Sequence, residues 1–105
     1  MKVAVTHKNG QIFRQFGYTR QFKVYTVENN KIVDTMVVDI NGWGHSVLIS
    51  VLESLSVDVL VCGRIDGRVQ VALSEVGISI YGGISGSCDA IIEALIASNL
   101  HRKQD

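Results

Sequence analysis

The stretch VDVLVCGRIDGRVQVALSEVGISIYGG, residues 57–83, decides the fold. It opens on the nearly all-apolar, β-rich run 57–62, which is typical of a strand buried on both faces of a sheet. A helical stripe follows and stops at Gly77, its apolar positions being Val69, Ala72, Leu73 and Val76. Residues 78–81 form a second short strand. This order predicts parallel strands joined by a right-handed crossover.

The sequence on either side of this stretch completes the sheet. Residues 3–5 open a strand, and residues 22–27 and 31–40 are two more strands on either side of Asn29-Asn30. Because asparagine tolerates the positive φ of a type I′ turn, these two strands are predicted to form an antiparallel hairpin. The apolar residues of 13–20 recur at neither helical nor strand spacing, so this segment is interpreted as a loop.

Two further helices flank the central stretch. One starts at His45, where the apolar residues fall at helical spacing, and the other follows Ser87 as its N-cap. The predicted fold is therefore α/β, a single mixed five-stranded sheet with an N-terminal antiparallel hairpin and flanking helices. We expect one domain over residues 1–100 and a polar tail at 101–105.

Composition excludes several classes of protein. The 105 residues are 47% apolar and carry no formal net charge, which argues against disorder and against a generic nucleic-acid binder. The longest apolar run is four residues, 59–62, against the roughly 20 that cross a bilayer. With two cysteines and no apolar leader at the N-terminus, we expect a cytoplasmic protein without nucleic-acid or membrane partners.

One edge of the predicted sheet is rich in glycine. Ligands of open α/β sheets bind beyond the carboxyl ends of the parallel strands, here predicted at Thr6-His7 and in the loops 41–45, 62–67 and 82–87. Glycines in these loops expose backbone N–H groups, and each loop leads into a helix N-terminus, so the edge suits an anion. For any one glycine a turn is the favoured explanation, whereas the set of seven on one predicted edge is explained equally by turns and by a binding site. The seven glycines of the three loops are Gly42, Gly44, Gly63, Gly67, Gly82, Gly83 and Gly86.

Histidine and cysteine provide candidate metal ligands at the same edge. Cys88 is predicted to begin the last helix, where the helix N-terminus favours the thiolate that binds metals; the alternative is a small buried hydrophobe. Cys62 ends a buried strand and is interpreted as a residue that packs in the core. His7 and His45 are either ligands or hydrogen-bonded surface residues. Trp43 is either a lid over a ligand or an anchor for its loop.

Catalytic templates fit poorly. There is no nucleophile elbow, phosphate-binding lysine loop or HExxH motif, and the carboxylates do not converge in the predicted sheet. We therefore expect a protein that is not an enzyme, with a hydrolase or nuclease as the weakest alternative. The scattered carboxylates are Asp34, Asp39, Asp58 and Asp66.

The zero net charge conceals an uneven distribution. Residues 1–31 carry six basic residues and one acidic residue, whereas residues 32–100 carry two basic and eight acidic residues. The two basic residues of the acidic part are Arg64 and Arg68, both next to the predicted site. A neutral protein of this kind can still hold a small anion at one edge.

Several segments together resemble a known family, the dinitrogenase iron–molybdenum cofactor biosynthesis family. They are VAVT (3–6), FGYTRQFKVY (16–25), Gly44-His45, the stretch 57–83 and SGSCDAIIEALIASNL (85–100). The resemblance implies a ribonuclease-H-like fold without nuclease chemistry, and a protein that binds iron–sulfur or molybdenum-containing sulfur clusters or their precursors. The family often has His-Phe-Gly where this chain has Gln15, Phe16 and Gly17, and glutamine is a poor ligand for soft metals.

Two hypotheses follow. In the first, the chain carries an anionic metal–sulfur cluster without catalysing a reaction, with cofactor-assembly proteins as partners. Charge then comes from arginines and metal ligation from His45 and Cys88. In the second, it is a metal-free regulatory module that binds a small molecule or a protein. The arginines are Arg14, Arg20, Arg64 and Arg68, and the other cofactor-binding candidates are Phe16, Gly17, Gly63, Gly67, Gly83 and Gly86.

The hairpin also leaves an edge strand rich in valine and isoleucine. Such a strand can pair with another chain, which predicts a homodimer.

Overall fold

The structure, a computed structural model, describes residues 1–98. It contains six strands and three α-helices, with a short 3-10 helix between the second and third strands. The strands are β1 (Lys2–Lys8), β2 (Gln11–Ile12), β3 (Gln21–Glu28), β4 (Lys31–Asp39), β5 (Val59–Val61) and β6 (Ser79–Tyr81). The helices are α1 (His45–Ser54), α2 (Gly67–Glu75) and α3 (Cys88–Ala97), and the 3-10 helix is Phe16–Tyr18. The predicted polar tail at 101–105 lies outside the described residues.

The mixed α/β prediction is confirmed. The sheet order is β4-β3-β1-β5-β6, with β2 paired to β1 alone. β1, β5 and β6 are parallel, whereas β3 is antiparallel to both β1 and β4. The hairpin turn has positive φ at Asn29 (52°) and Asn30 (64°), as the sequence predicts.

Three details of the N-terminal region differ from the prediction. The sheet has six strands rather than five, because the two residues of β2 pair with the end of β1 after the turn at Asn9-Gly10. Thr6 and His7 consequently lie within β1 and not in a loop after it, since Thr6 pairs with Phe22 and His7 with Ile12. The predicted loop 13–20 also contains the 3-10 helix.

The sheet separates two apolar cores. On one face, α1 and α2 pack through Leu48, Leu52 and Leu73 onto the side chains of the central strands. On the other face, α3 packs through Cys88 and Ile92. Because helices cover both faces, the carboxyl ends of β1, β5 and β6 are left as the accessible edge. Within residues 1–98, none of the helices has the length and apolarity needed to span a membrane.

Candidate functional site

The segment before the 3-10 helix runs alongside the loop that follows β5. The Arg64 N–H donates a hydrogen bond to the Arg14 carbonyl oxygen (2.7 Å), and the Phe16 N–H donates to the Arg64 carbonyl oxygen (2.9 Å). The backbones approach so closely that a Cβ on Gly63 would lie 2.7 Å from the Arg14 Cα atom. Glycine is therefore required at position 63 for this contact to form.

The loop after β6 is tied to the same place. The Gly83 N–H donates to the Gly63 carbonyl oxygen (2.8 Å), and the Ile84 N–H donates to the Cys62 carbonyl oxygen (3.0 Å). Three chain segments thus meet beyond the carboxyl ends of the parallel strands, as the sequence predicts for the glycine-rich edge.

Two open clefts lie at this junction and share the side chains of Arg64 and Ile65. The first, which we call the arginine cleft, has a volume of about 610 Å³ and is lined by Arg14, Gly63, Arg64, Ile65, Gln70, Gly82, Gly83 and Ile84. The second, the histidine cleft, has a volume of about 630 Å³ and is lined by Gln15, Gly17, Tyr18, Trp43, Gly44, His45, Arg64, Ile65 and Asp66. Both volumes fall in the range of small-molecule sites, roughly 300–1,000 Å³.

The two clefts differ in charge. Arg14 and Arg64 supply two guanidinium groups to the arginine cleft, which has no carboxylate in its lining. Within residues 1–98, neither group makes an ion pair or a side-chain hydrogen bond; the ion pair in that range joins Lys23 to Asp89. Unpaired, exposed arginines are well suited to an anion, because a guanidinium offers several donors in a fixed plane.

His45 covers the Phe16-Gly17 turn. Its ring stacks on Phe16, with centroids 6.3 Å apart and planes at 27°. A Cβ on Gly17 would lie 2.8 Å from His45 Nε2, so the absence of a side chain at position 17 leaves room for the imidazole. Neither ring nitrogen hydrogen-bonds to the part of the chain that the structure describes, so both are available to a ligand in the histidine cleft.

Trp43 is held by Arg20. The Arg20 guanidinium donates to the carbonyl oxygens of Ile40 (2.8 Å) and Gly42 (2.7 Å), and lies 3.9 Å from the Trp43 ring centroid. The indole nevertheless remains 70% exposed. Trp43 is thus not buried as an anchor, and Arg20, which was predicted to supply charge to the cluster, instead fixes the loop before α1.

The structure brings together part of the predicted site. Gly17, Gly63, Arg64, Gly83 and His45 line the clefts. Phe16 is buried beneath them and contributes its ring to the core.

The other predicted residues lie away from the clefts. Gly67 begins α2 and lines neither cleft, and Arg68, the next residue, is likewise absent from both linings. The Gly86 carbonyl oxygen accepts a hydrogen bond from the Ile12 N–H (2.8 Å) and so joins the start of α3 to β2. His7 uses both ring nitrogens, Nδ1 with Gln21 Oε1 and Nε2 with the Gly10 N–H, each at 3.0 Å.

The expectation of a reactive thiolate at Cys88 is wrong. Cys88 does begin α3, and the Ser87 hydroxyl caps the helix by accepting from the Ala90 N–H (3.3 Å). The thiol, however, is fully buried in the core beneath α3, and this burial raises the pKa of Cys88 to about 11. Cys62 is buried in the core on the opposite face, where burial raises its pKa to about 12.

His45 and Cys88 do not converge. His45 packs on Phe16, which belongs to the core under α1 and α2, whereas Cys88 belongs to the core under α3. Over residues 1–98, no group of three or more histidine, cysteine or acidic side chains is arranged to hold a metal ion. The clefts can therefore offer a ligand cationic donors, backbone groups and one imidazole, but not a thiolate cage.

Sequence reasoning missed Tyr18 and Gln70 as cleft residues. Tyr18 is 64% exposed and stands with Trp43 in the wall of the histidine cleft. Tyr18 could have been identified from the sequence, because it is a large aromatic residue next to Gly17 in a segment without regular hydrophobic periodicity. Gln70 lies on α2, and nothing in its local pattern distinguishes it from a solvent-facing helix position.

The fold and the clefts define a small three-layer α/β protein with two open clefts at one edge of its sheet. The family model described as dinitrogenase iron-molybdenum cofactor matches residues 1–98, and the chain belongs to that family. None of the curated proteins matches the sequence.

Several solved structures are similar to this chain. PH0822 has 22% identity and a TM-score of 0.88, with 93% of this chain and 90% of that chain covered. A protein from Methanocaldococcus jannaschii, provisionally described as a dinitrogenase, has 22% identity and a TM-score of 0.77, with 93% and 89% covered. The apo form of the orange protein from Desulfovibrio gigas has 20% identity and a TM-score of 0.72, with 95% and 87% covered. At these identities the likenesses establish a shared fold.

Proposed function

We propose that this protein binds and carries a preformed anionic metal–sulfur cluster, or a precursor of one, as its cargo. Iron–sulfur and molybdenum–iron–sulfur clusters are the classes that its family suggests. The observation that carries the proposal is the arginine cleft, in which two unpaired guanidinium groups meet glycine loops with no carboxylate in the lining. Carriage is a binding function, and cofactor-assembly proteins are the partners that it requires.

The residues of the clefts fit an anionic cargo that is held mainly through the atoms on its surface and less through bonds to its metal ions. Arg14 and Arg64 can donate to the sulfur or oxygen atoms on the surface of a cluster, and charge-assisted bonds of this kind are the stronger hydrogen bonds. His45 can add one nitrogen ligand from the neighbouring cleft. Both thiols are buried and have raised pKa values, so we expect Cys88 to stabilise the core rather than to ligate the cluster.

Retention of a simple cluster precursor tests the proposal. The apo protein is incubated anaerobically with tetrathiomolybdate, separated from free anion by gel filtration, and examined for a retained charge-transfer absorption. We expect Arg14→Ala/Arg64→Ala to weaken binding about tenfold or more. Arg68→Ala, an exposed arginine outside the clefts, is the matched control and should bind like the parent.

Two further variants separate the predicted ligands. His45→Ala should shift the absorption band if the imidazole coordinates molybdenum, whereas Cys88→Ala should leave the band unchanged. The proposal fails if the parent retains no anion, or if the double arginine variant and Arg68→Ala bind equally well.

Gln15 favours a second candidate, a metal-free module that binds a small molecule. Its amide lines the histidine cleft at the position where the family often has histidine, and an amide is a weaker ligand for soft metals than an imidazole. Metal analysis of protein purified anaerobically from its native host distinguishes the two, because a stoichiometric metal excludes the metal-free module.

A further inference from the structure

The histidine cleft has a wall of exposed aromatic rings that an inorganic anion does not need. Tyr18 is 64% exposed and Trp43 is 70% exposed, and both side chains line this cleft. An exposed aromatic face in a cleft is a stacking surface for a planar ring, and aromatic–base stacking is largely independent of which base is present.

Trp43 is also held in place before any ligand arrives. Arg20 binds the carbonyl groups of Ile40 and Gly42 and lies 3.9 Å from the indole centroid, so both the loop and the ring are oriented by one guanidinium. A ring that is already ordered loses little conformational entropy when a ligand stacks on it.

The remaining polar groups of the histidine cleft suit the edge of a heterocycle. The Gln15 side-chain amide makes no hydrogen bond in the described range, and it offers both donors and an acceptor. Asp66 adds a carboxylate to this cleft, which disfavours a phosphate there. The arginine cleft next to it contains Arg14 and Arg64 and no carboxylate, so a phosphate is favoured on that side.

We infer that the two clefts form one composite site for a phosphorylated planar heteroaromatic compound, such as a mononucleotide. The ring stacks between Tyr18 and Trp43 in the histidine cleft, and the phosphate binds Arg14 and Arg64 in the arginine cleft. Arg64 lines both clefts and therefore joins the two parts of the ligand. This site does not depend on cluster carriage, although the two ligands share Arg14 and Arg64 and should exclude one another.

Trp43 is the one tryptophan of the chain and reports directly on this site. AMP is titrated into the apo protein while tryptophan emission is recorded, with adenosine and inorganic phosphate titrated in parallel. We expect saturable quenching by AMP, and binding at least about tenfold weaker for adenosine or phosphate alone, because each occupies one cleft only.

Equilibrium dialysis with labelled AMP extends the test to variants that lack the reporter. Trp43→Ala and Tyr18→Ala should each weaken AMP binding about tenfold, while the exposed strand variant Val37→Ala should not. Arg64→Ala should weaken it by a similar factor, with Arg68→Ala as the matched control.

Three outcomes would overturn the inference: no saturable AMP binding, adenosine or phosphate binding as tightly as AMP, or Arg64→Ala binding like Arg68→Ala. Because the titration uses apo protein and no metal, a negative result leaves the tetrathiomolybdate experiment unaffected. Retention of tetrathiomolybdate without AMP binding would support cluster carriage and exclude the composite site.

Discussion

Glycine is needed at positions 63 and 17 for two different steric reasons. A Cβ at position 63 would clash with the backbone of Arg14. That backbone is held in place because the Arg64 N–H donates to the Arg14 carbonyl oxygen and the Phe16 N–H donates to the Arg64 carbonyl oxygen. A Cβ at position 17 would meet the end of the His45 ring, which can rotate away. The first glycine therefore maintains the fold of the edge, and the second maintains the position of one side chain.

Alanine substitutions should separate these roles. We expect Gly63→Ala to lower the free energy of unfolding by about 3 kcal/mol, because backbone must move to admit the methyl group. Gly67→Ala is the control and should be neutral or stabilise by about 0.5 kcal/mol, since no atom lies within 4 Å of the added Cβ. Urea denaturation measures both, and an equal effect of the two substitutions would contradict the steric explanation.

Gly17→Ala should change ligand binding more than stability. We expect less than about 1 kcal/mol of destabilisation, because only the flexible His45 side chain must move. If His45 ligates the cluster, the displaced ring should alter the tetrathiomolybdate absorption band as His45→Ala does. An unchanged band in both variants would show that the imidazole does not touch the metal.

The buried thiols make stability fall at alkaline pH. Burial raises the pKa of Cys88 to about 11 and that of Cys62 to about 12, from an ordinary value of 9.0. The folded state therefore keeps protons that the unfolded state loses, and their contribution to stability, complete below about pH 9, is lost as pH rises towards 11 to 12. The decline should reach up to about 1.4 kcal/mol per pH unit for each thiol.

A series of urea denaturations from neutral to alkaline pH measures this decline. Cys62→Ala/Cys88→Ala should show a shallower slope, whatever its stability at neutral pH. Tyr25 is present in both proteins, and its pKa is raised mainly by burial and by its hydrogen bond to Asp89, with Cys88 a smaller cause. Equal slopes would mean that the thiols do not titrate differently on unfolding.

At the scale of the secondary-structure elements, Asp66 has two roles at the start of α2. Its carboxylate accepts a hydrogen bond from the Arg68 N–H (2.7 Å) and caps the helix, and the same side chain lines the histidine cleft. Helix capping requires only an oxygen acceptor, whereas an effect on an anionic ligand requires the charge.

Two substitutions at Asp66 separate the cap from the charge. Asp66→Ala should cost about 1 kcal/mol of stability, and Asp66→Asn should cost almost none, because asparagine caps as well as aspartate. Asp66→Asn should nevertheless bind tetrathiomolybdate about threefold more tightly, since a negative charge near Arg64 is removed. Denaturation and binding titration of both variants test this, and equal affinity of Asp66→Asn and the parent would exclude an electrostatic role.

At the scale of the whole molecule, the sequence best predicts the structural features that depend on residues close together in the chain. The parallel core follows from the apolar run 57–62 and the helical stripe after it, and the hairpin from Asn29-Asn30. The two-residue strand β2 was missed, because it exists only through its pairing with the end of β1. The glycine-rich edge was predicted because strand order alone places its loops together.

Side-chain environments that depend on distant residues were not predictable in the same way. The sequence places Cys88 first in a helix, but whether its thiol faces solvent or core depends on how α3 packs on the sheet. Arg20 is an exposed cation by sequence, and its binding to two carbonyl groups about 20 residues later is a consequence of tertiary structure. Local pattern identifies the edge, and packing decides which of its side chains line the clefts.

The homodimer stays a prediction, and the structure indicates where to test it. β4 is an edge strand of nine residues, with Val33, Met36 and Val37 40–55% exposed, whereas the opposite edge, β6, has three residues. Edge strands with exposed apolar side chains can pair with a second copy, and a lysine at the edge opposes such pairing. Sedimentation equilibrium should give a mass that rises with concentration for the parent and remains monomeric for Val37→Lys. Val71→Lys, which places the same charge at an exposed valine on α2, should behave like the parent, and a monomer at every concentration in all three proteins would contradict the dimer.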